Sequence, residues 1–322
     1  MRSSRIKIQG QAAVYHCICR CVAKEMLLDD RSKEVFRKQM HTMANFCGVQ
    51  ILTYCLMTNH VHLLVRVPEP QPICDEELVR RYALLYGKEP GRVAAFEQLL
   101  KEDSQDAQQA RERQLKRMGD ISFFMKELKQ RFGIWYNKSH NRIGTLWTER
   151  FKSVLVENTR MALMTVAAYI ELNPVRAGLC EDPKDYRFCG YAEALGGDFN
   201  AREGIAAIAE VEDWKVAAQE YRMTIFGKGA DPKAFAAAIS SQKMQAVMKA
   251  GGKLPRAVLL RCRVRYFTDG AILGSKEFVK EVFEQRRDQL GKRRWRTSGT
   301  PVPGGDWQGL RSFRNLRREV FG

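Results

Sequence analysis

Residues 58–67 constrain the fold more than any other stretch of the chain. Thr58-Asn59-His60-Val61-His62-Leu63-Leu64-Val65-Arg66-Val67 alternates in character. In a strand, successive side chains point to opposite faces. Val61, Leu63, Val65 and Val67 then form one aliphatic face, which must pack on a core. His60, His62, Leu64 and Arg66 form the other. That second face sets two imidazoles side by side, a spacing that can chelate one metal ion through neutral ring nitrogens. The chain has 5 histidines, and two of them sit here. A lone His-x-His also arises by chance on half-buried strands, so its weight depends on the rest of the chain. Val49 to Leu56 reads as a strand and Met57-Thr58-Asn59 as a tight turn, which makes a hairpin with His60–Val67. Pro68, Pro70 and Pro72 end it.

The remaining elements follow from periodicity and punctuation. Ala13 to Val22 alternates and is rich in Val, Ile and Cys, which predicts a strand. Asp29-Asp30-Arg31-Ser32 caps a helix from Lys33 to Cys47, and Gly48 ends it. Residues 73–120 carry dense charge of both signs and read as a helical insertion, helical from Arg80 to Gln114 apart from Gly87–Gly91. Ile121 to Ser139 repeats apolar residues at helical spacing through Phe123, Phe124, Leu128, Phe132 and Trp135. Arg150 to Glu157 alternates as a fourth strand. Asn158-Thr159 caps a helix from Arg160 to Asn173, which Pro174 terminates. This order predicts an α+β, ferredoxin-like fold: an antiparallel four-stranded sheet with helices on one face. The face bearing His60 and His62 is expected to stay open, a surface suited to nucleic acid. The length of 322 residues suggests two domains or one decorated domain, and the elements divide it into a sheet domain over 1–195, carrying the insertion, and a basic, mainly helical region over 196–322.

The net charge of +17, from 54 Lys and Arg against 37 Asp and Glu, points to a polyanionic partner. It is concentrated after Lys249, where cations outnumber anions more than two to one. Within that quarter, Leu254–Phe267 and Ser275–Leu290 read as two helices around a Gly-containing turn, a helix-turn-helix pattern. Lys292-Arg293-Arg294-Trp295-Arg296 sets an aromatic among cations, suited to backbone contacts plus base stacking. Arg293, Arg294 and Trp295 are therefore candidate nucleic-acid contacts. On this reading the tail is the part that recognises nucleic acid. Removing residues 250–322 should then cost affinity for it. No apolar run reaches the ~20 residues a membrane span needs, and no signal peptide follows the basic N-terminus. The 9 cysteines show neither a disulfide spacing nor a Cys-x-x-Cys pair, so they read as reduced thiols of a cytoplasmic protein.

A second stretch gives the histidine pair its weight. In Ala168-Tyr169-Ile170-Glu171-Leu172-Asn173-Pro174-Val175-Arg176-Ala177-Gly178, Tyr169 and Asn173 lie four apart on one helix face, with Arg176 following. Glu171 lies off that face. Asn59-His60-Val61-His62-Leu63-Leu64 resembles the HUH motif (His, hydrophobic, His) of single-tyrosine transposases. Tyr169 to Gly178 resembles the catalytic-tyrosine helix of their REP-associated branch. Gly144-Thr145-Leu146-Trp147 with Arg150-Phe151-Lys152-Ser153 resembles the strand leading into that helix. The resemblance runs from about Val14 to Gly178, interrupted by 73–120. More weakly, Arg261 to Phe283 resembles a C-terminal extension of longer members.

The resemblance implies a DNA nicking and rejoining enzyme acting on single-stranded or hairpin DNA. Tyr169 is the implied nucleophile, forming a 5′-phosphotyrosine. A divalent ion, Mg²⁺ or Mn²⁺, would sit on His60 and His62. Asn173 is the candidate third ligand, at a position where better-known relatives carry Gln or Glu. Arg20, Asn59, Arg150, Lys152 and Arg176 are candidate DNA contacts, since they lie in or beside the matched elements. The implied protein is cytoplasmic and nucleoid-associated, and monomer and homodimer both remain open. Two other classes stand beside this one. One is a non-catalytic nucleic-acid-binding module. The other is a metal-dependent nuclease that uses water, with Tyr169 as a structural residue.

Overall fold

The computed structural model describes residues 5–89, 91–226, 256–261, 264–287, 299–302 and 307–313. Arg293, Arg294 and Trp295 lie outside the described residues, as does most of the basic tail. The chain runs β1 (Ala13–Arg20), α1 (Asp30–Cys47), β2 (Gln50–Leu56) and β3 (His60–Val67). Asp29 caps α1 by accepting from the Ser32 N–H. Gly48 closes it at a φ of 66°, where a side chain would be strained. The insertion forms α2 (Asp75–Tyr86), α3 (Arg92–Leu100) and α4 (Gln105–Leu115) around a small core of its own built on Leu78, Tyr82, Phe96 and Leu100. Then come α5 (Ile121–Ser139), β4 (Lys152–Val156), α6 (Arg160–Glu171) and the single turn α7 (Asn173–Arg176).

The class is mixed α/β, with a largely antiparallel sheet. β2, β3, β1 and β4 lie side by side in that order. The expectation of four strands needs correction, because the sheet has seven among the described residues. Beyond β4 it continues through β5 (Ile272–Gly274), β7 (Arg311–Phe313) and β6 (Thr300–Pro301). β5 runs parallel to β4, and the other pairings are antiparallel. These strands are two or three residues long, too short for alternation to reveal. They cover the edge that β4 would otherwise leave with unpaired backbone groups.

One face of the sheet meets α1 and α5. Tyr15, Cys17, Leu63 and Val65 pack there against Phe36, Met40, Leu128 and Phe132. The described cysteines are all free thiols, and burial pushes Cys19, Cys21 and Cys47 up to about 12.

The opposite face is not open, a second correction. Val14, Leu64, Val154 and Val156 pack beneath α6, together with α8 (Gly190–Leu195), α9 (Phe199–Ala209) and α10 (Trp214–Phe226). Gly204 lets α9 lie directly on β2, since a Cβ there would stand 2.5 Å from the Leu52 carbonyl oxygen. A boundary after residue 195 would therefore cut through a continuous core. In the C-terminal region, α11 (Arg256–Leu260), α12 (Tyr266–Asp269) and α13 (Lys276–Gln285) are described. The expected helix-turn-helix is replaced here by β5, which stands between α12 and α13 and joins the sheet.

α6 carries one charged group into this core. Glu171 is fully buried. One of its carboxylate oxygens accepts from the Thr53 hydroxyl and, at 2.9 Å, from the Tyr191 N–H. Burial raises its pKa from 4.5 to about 7, against the pull of those donors. The unfolded chain then releases this proton as pH passes 4.5, while the fold holds it until about 7. Stability is therefore lost as pH rises across that window and is constant above it. Glu171→Gln keeps the acceptor oxygen and removes the titration. Relative to the parent, it is expected to gain about 3 kcal/mol between pH 4.5 and pH 8 in urea unfolding. A pH-independent difference would show that the carboxylate is ionised throughout.

Candidate active site

The register explains how two distant stretches meet. β1 and β3 pair antiparallel with Arg20 opposite His60, Ile18 opposite His62 and His16 opposite Leu64. Directly opposed residues share a face, so His16, Arg20, His60 and His62 all point toward α6. The carboxyl-terminal end of α6 brings Tyr169 over them. The His60 and His62 ring centroids lie 5.0 Å apart, and that of Tyr169 lies 6.4 Å from that of His62. His60, His62, Tyr169 and Asn173 line one cleft of about 310 Å³. Its charged lining residues are Arg20, Lys24 and Arg176, all cations, so it suits a phosphate-bearing ligand. One chain supplies the whole arrangement.

Hydrogen bonds orient each ring. Asn59 donates its amide N–H to the Lys24 carbonyl at 3.3 Å, which turns its oxygen to accept from His60 Nδ1 at 2.6 Å. His62 Nδ1 lies 2.8 Å from His16 Nε2, and His16 Nδ1 lies 2.7 Å from the Phe267 carbonyl oxygen. His62 is only 3% exposed and His16 is fully buried. Burial, with Arg176 nearby, lowers His16 to about 4. Burial first, then the neighbouring His60, His16 and Arg176, hold His62 well below the usual imidazole range. Both rings are therefore neutral near pH 7, the form in which His62 can ligate a metal.

Tyr169 is 1% exposed and forms the floor of the cleft. Its ring packs 4.8 Å from that of Phe267, centroid to centroid. The Arg176 guanidinium carbon sits 4.1 Å from its ring centroid. Arg176 also donates to the Tyr169 and Leu260 carbonyls, both at 2.6 Å. The Asn173 amide N–H donates to the Ile170 carbonyl at 2.9 Å, leaving its oxygen as the part of the amide not committed to that bond.

The donor set fits a divalent ion that keeps most of its coordination sphere for water and substrate. It offers two imidazoles, each with Nδ1 already engaged, and one amide in the same cleft wall. Among the described residues no group of three or more His, Cys, Asp and Glu could hold a metal, so no described carboxylate joins the two histidines.

The other expected contacts divide. Arg20, Asn59 and Arg176 line the cleft. Lys152 lies one strand over, opposite Ile18, and is drawn to Asp269 at 3.5 Å. Arg150 is exposed and is not part of the cleft wall. Sequence reasoning did not anticipate His16, Lys24 or Thr268. His16 had one signal: it stands in the alternating run Val14-His16-Ile18-Arg20, on the same face as Arg20.

Residues 10–84, which span β1, α1, β2 and β3 with both cleft histidines, match the family model described as "Transposase IS200 like". Among solved structures, one described as "Structure of the REP associates tyrosine transposase bound to a REP hairpin" aligns at a TM-score of 0.38 and 15% identity. The alignment covers 61% of this chain and 86% of that one. No curated protein sequence matches the chain. No described helix is long and apolar enough to cross a membrane.

Proposed function

We propose that this chain is a DNA transposase that cuts and rejoins single-stranded DNA through Tyr169. The observation that carries the reading is the convergence of Tyr169, His60 and His62 on one cationic cleft. The match of the histidine-bearing segment to a transposase family supports it. In the reaction, the Tyr169 oxygen attacks a phosphodiester phosphorus. The Tyr–O–P bond forms, the P–O3′ bond breaks, the phenol proton leaves, and the departing 3′ oxygen takes up a proton. The product is a 5′-phosphotyrosine and a free 3′-hydroxyl. The covalent link retains the reactive phosphodiester for rejoining. His60 and His62, with Asn173, would hold Mg²⁺ or Mn²⁺, which when bound polarises the phosphate and offsets charge developing on it. Arg20 and Lys24 draw the backbone into the cleft. Arg176 holds the tyrosine by its ring and its carbonyl.

The test is incubation of the protein with a single-stranded hairpin DNA and Mn²⁺, resolved on a denaturing gel. The expected result is a DNA-linked protein band that needs the metal. Metal-dependent cleavage without such a band would assign the reaction to water and Tyr169 to the core. Binding without cleavage would leave a nucleic-acid-binding module.

A further inference from the structure

We propose that His16 is a positioning residue: it holds His62 in the tautomer whose Nε2 carries the lone pair. The inference rests on reading His60 and His62 as a divalent-ion site. A carbonyl oxygen can only accept, so the Phe267 carbonyl requires a proton on His16 Nδ1, 2.7 Å away. His16 is fully buried, and no described carboxylate shares a hydrogen bond with it to stabilise a second proton. Its Nε2 is therefore bare and must accept. The partner, 2.8 Å away, is His62 Nδ1, which must then carry its own proton. A neutral imidazole protonated at Nδ1 has its lone pair at Nε2.

Asn59 does the same for His60 from the other side, with the Lys24 carbonyl fixing the amide. Two backbone carbonyls, far apart in sequence, thus set both cleft imidazoles to one tautomer. A filler residue would not need this chemistry. Val14 and Ile18 flank His16 on the same sheet face and are aliphatic. An aliphatic residue at 16 would leave the Phe267 carbonyl and His62 Nδ1 without these partners, a cost of ~1–3 kcal/mol for each buried group.

The first test uses the metal-free protein labelled with ¹⁵N. With 5 histidines in the chain, long-range ¹H–¹⁵N spectra resolve the rings, and His62→Gln assigns the signal of residue 62. His16 and His62 are both expected as the Nδ1–H tautomer. His62 found with its proton on Nε2 would overturn the proposal.

The second test is Mn²⁺ affinity, measured by the loss of the free-ion EPR signal. His16→Phe keeps the ring volume and lacks the acceptor, so it is expected to weaken Mn²⁺ binding by roughly 10–100-fold. His16→Gln should stay within a few-fold of the parent. Its amide N and O flank one carbon as the ring nitrogens do, and the Phe267 carbonyl would turn the N–H toward itself and the oxygen toward His62. Near-UV circular dichroism confirms that each variant is folded; if His16→Phe is not, the tautomer spectrum of the parent decides. A folded His16→Phe that binds Mn²⁺ like the parent would overturn the role of His16 alone. A parent protein that binds no Mn²⁺ would overturn the metal reading itself, and the positioning role with it.

Discussion

Tyr169→Phe is expected to abolish the protein–DNA adduct, by about 10³-fold or more, while affinity for the same hairpin stays within a few-fold. The substitution removes one oxygen and keeps the ring. The ring makes the contacts that matter for packing: the face against Phe267 at 4.8 Å and the cation of Arg176 at 4.1 Å. Binding draws on Arg20 and Lys24, which the change does not touch. The measurements are a denaturing gel for the adduct and a filter or anisotropy titration for affinity. An adduct that persists in Tyr169→Phe would place the nucleophile elsewhere. Loss of binding together with the adduct would show that Tyr169 serves the shape of the cleft instead of the bond-forming step.

The sequence was most legible where local chemistry decides the structure. The apolar stripe of Phe124, Leu128 and Phe132 marks α5, and Asp29 and Gly48 mark the ends of α1 through capping and a left-handed turn. Alternation in β3 correctly sorted its residues into two faces. It could not say what covers them. The histidine face was expected to be open because its cover comes from α6, from α8 to α10 and from elements after residue 255, and no local pattern carries such distant contacts. The bond between His16 and Phe267 spans 251 residues of sequence. Tyr169 and Asn173 were readable as sharing a helix face, but not that Asn173 turns its amide N–H back onto the Ile170 carbonyl. Arg176 stood out as a cation beside the tyrosine. The carbonyls that hold its guanidinium appear only once α11 and α6 are packed together.

Deleting residues 250–322 is expected to abolish cooperative folding and cleavage together, and not merely to weaken DNA binding. The sequence suggested a detachable reader, but the described part of this region is built into the sheet and the cleft. β5 pairs with β4 at Leu155 and Val156, continuing the sheet that carries β1 and β3. Phe267, Ile272, Leu273, Val279, Leu310 and Phe313 are buried and belong to the two cores on either face of that sheet. Burying each such side chain is worth ~1.5–3 kcal/mol, and a domain's whole net stability is ~5–15 kcal/mol. Losing these six alone approaches or exceeds that reserve, before counting the apolar partners left exposed. The same cut removes the Phe267 carbonyl that orients His16, the Leu260 carbonyl that holds Arg176, and the ring packed on Tyr169. Urea unfolding of the 1–249 fragment beside the full chain makes the comparison, with adduct formation on a short oligonucleotide at high concentration as the second readout. The expected result is a fragment with no cooperative transition and no adduct. A fragment that unfolds cooperatively and still forms the adduct would mean that the C-terminal strands only decorate a self-sufficient sheet. The basic tail could then be a separable DNA reader after all.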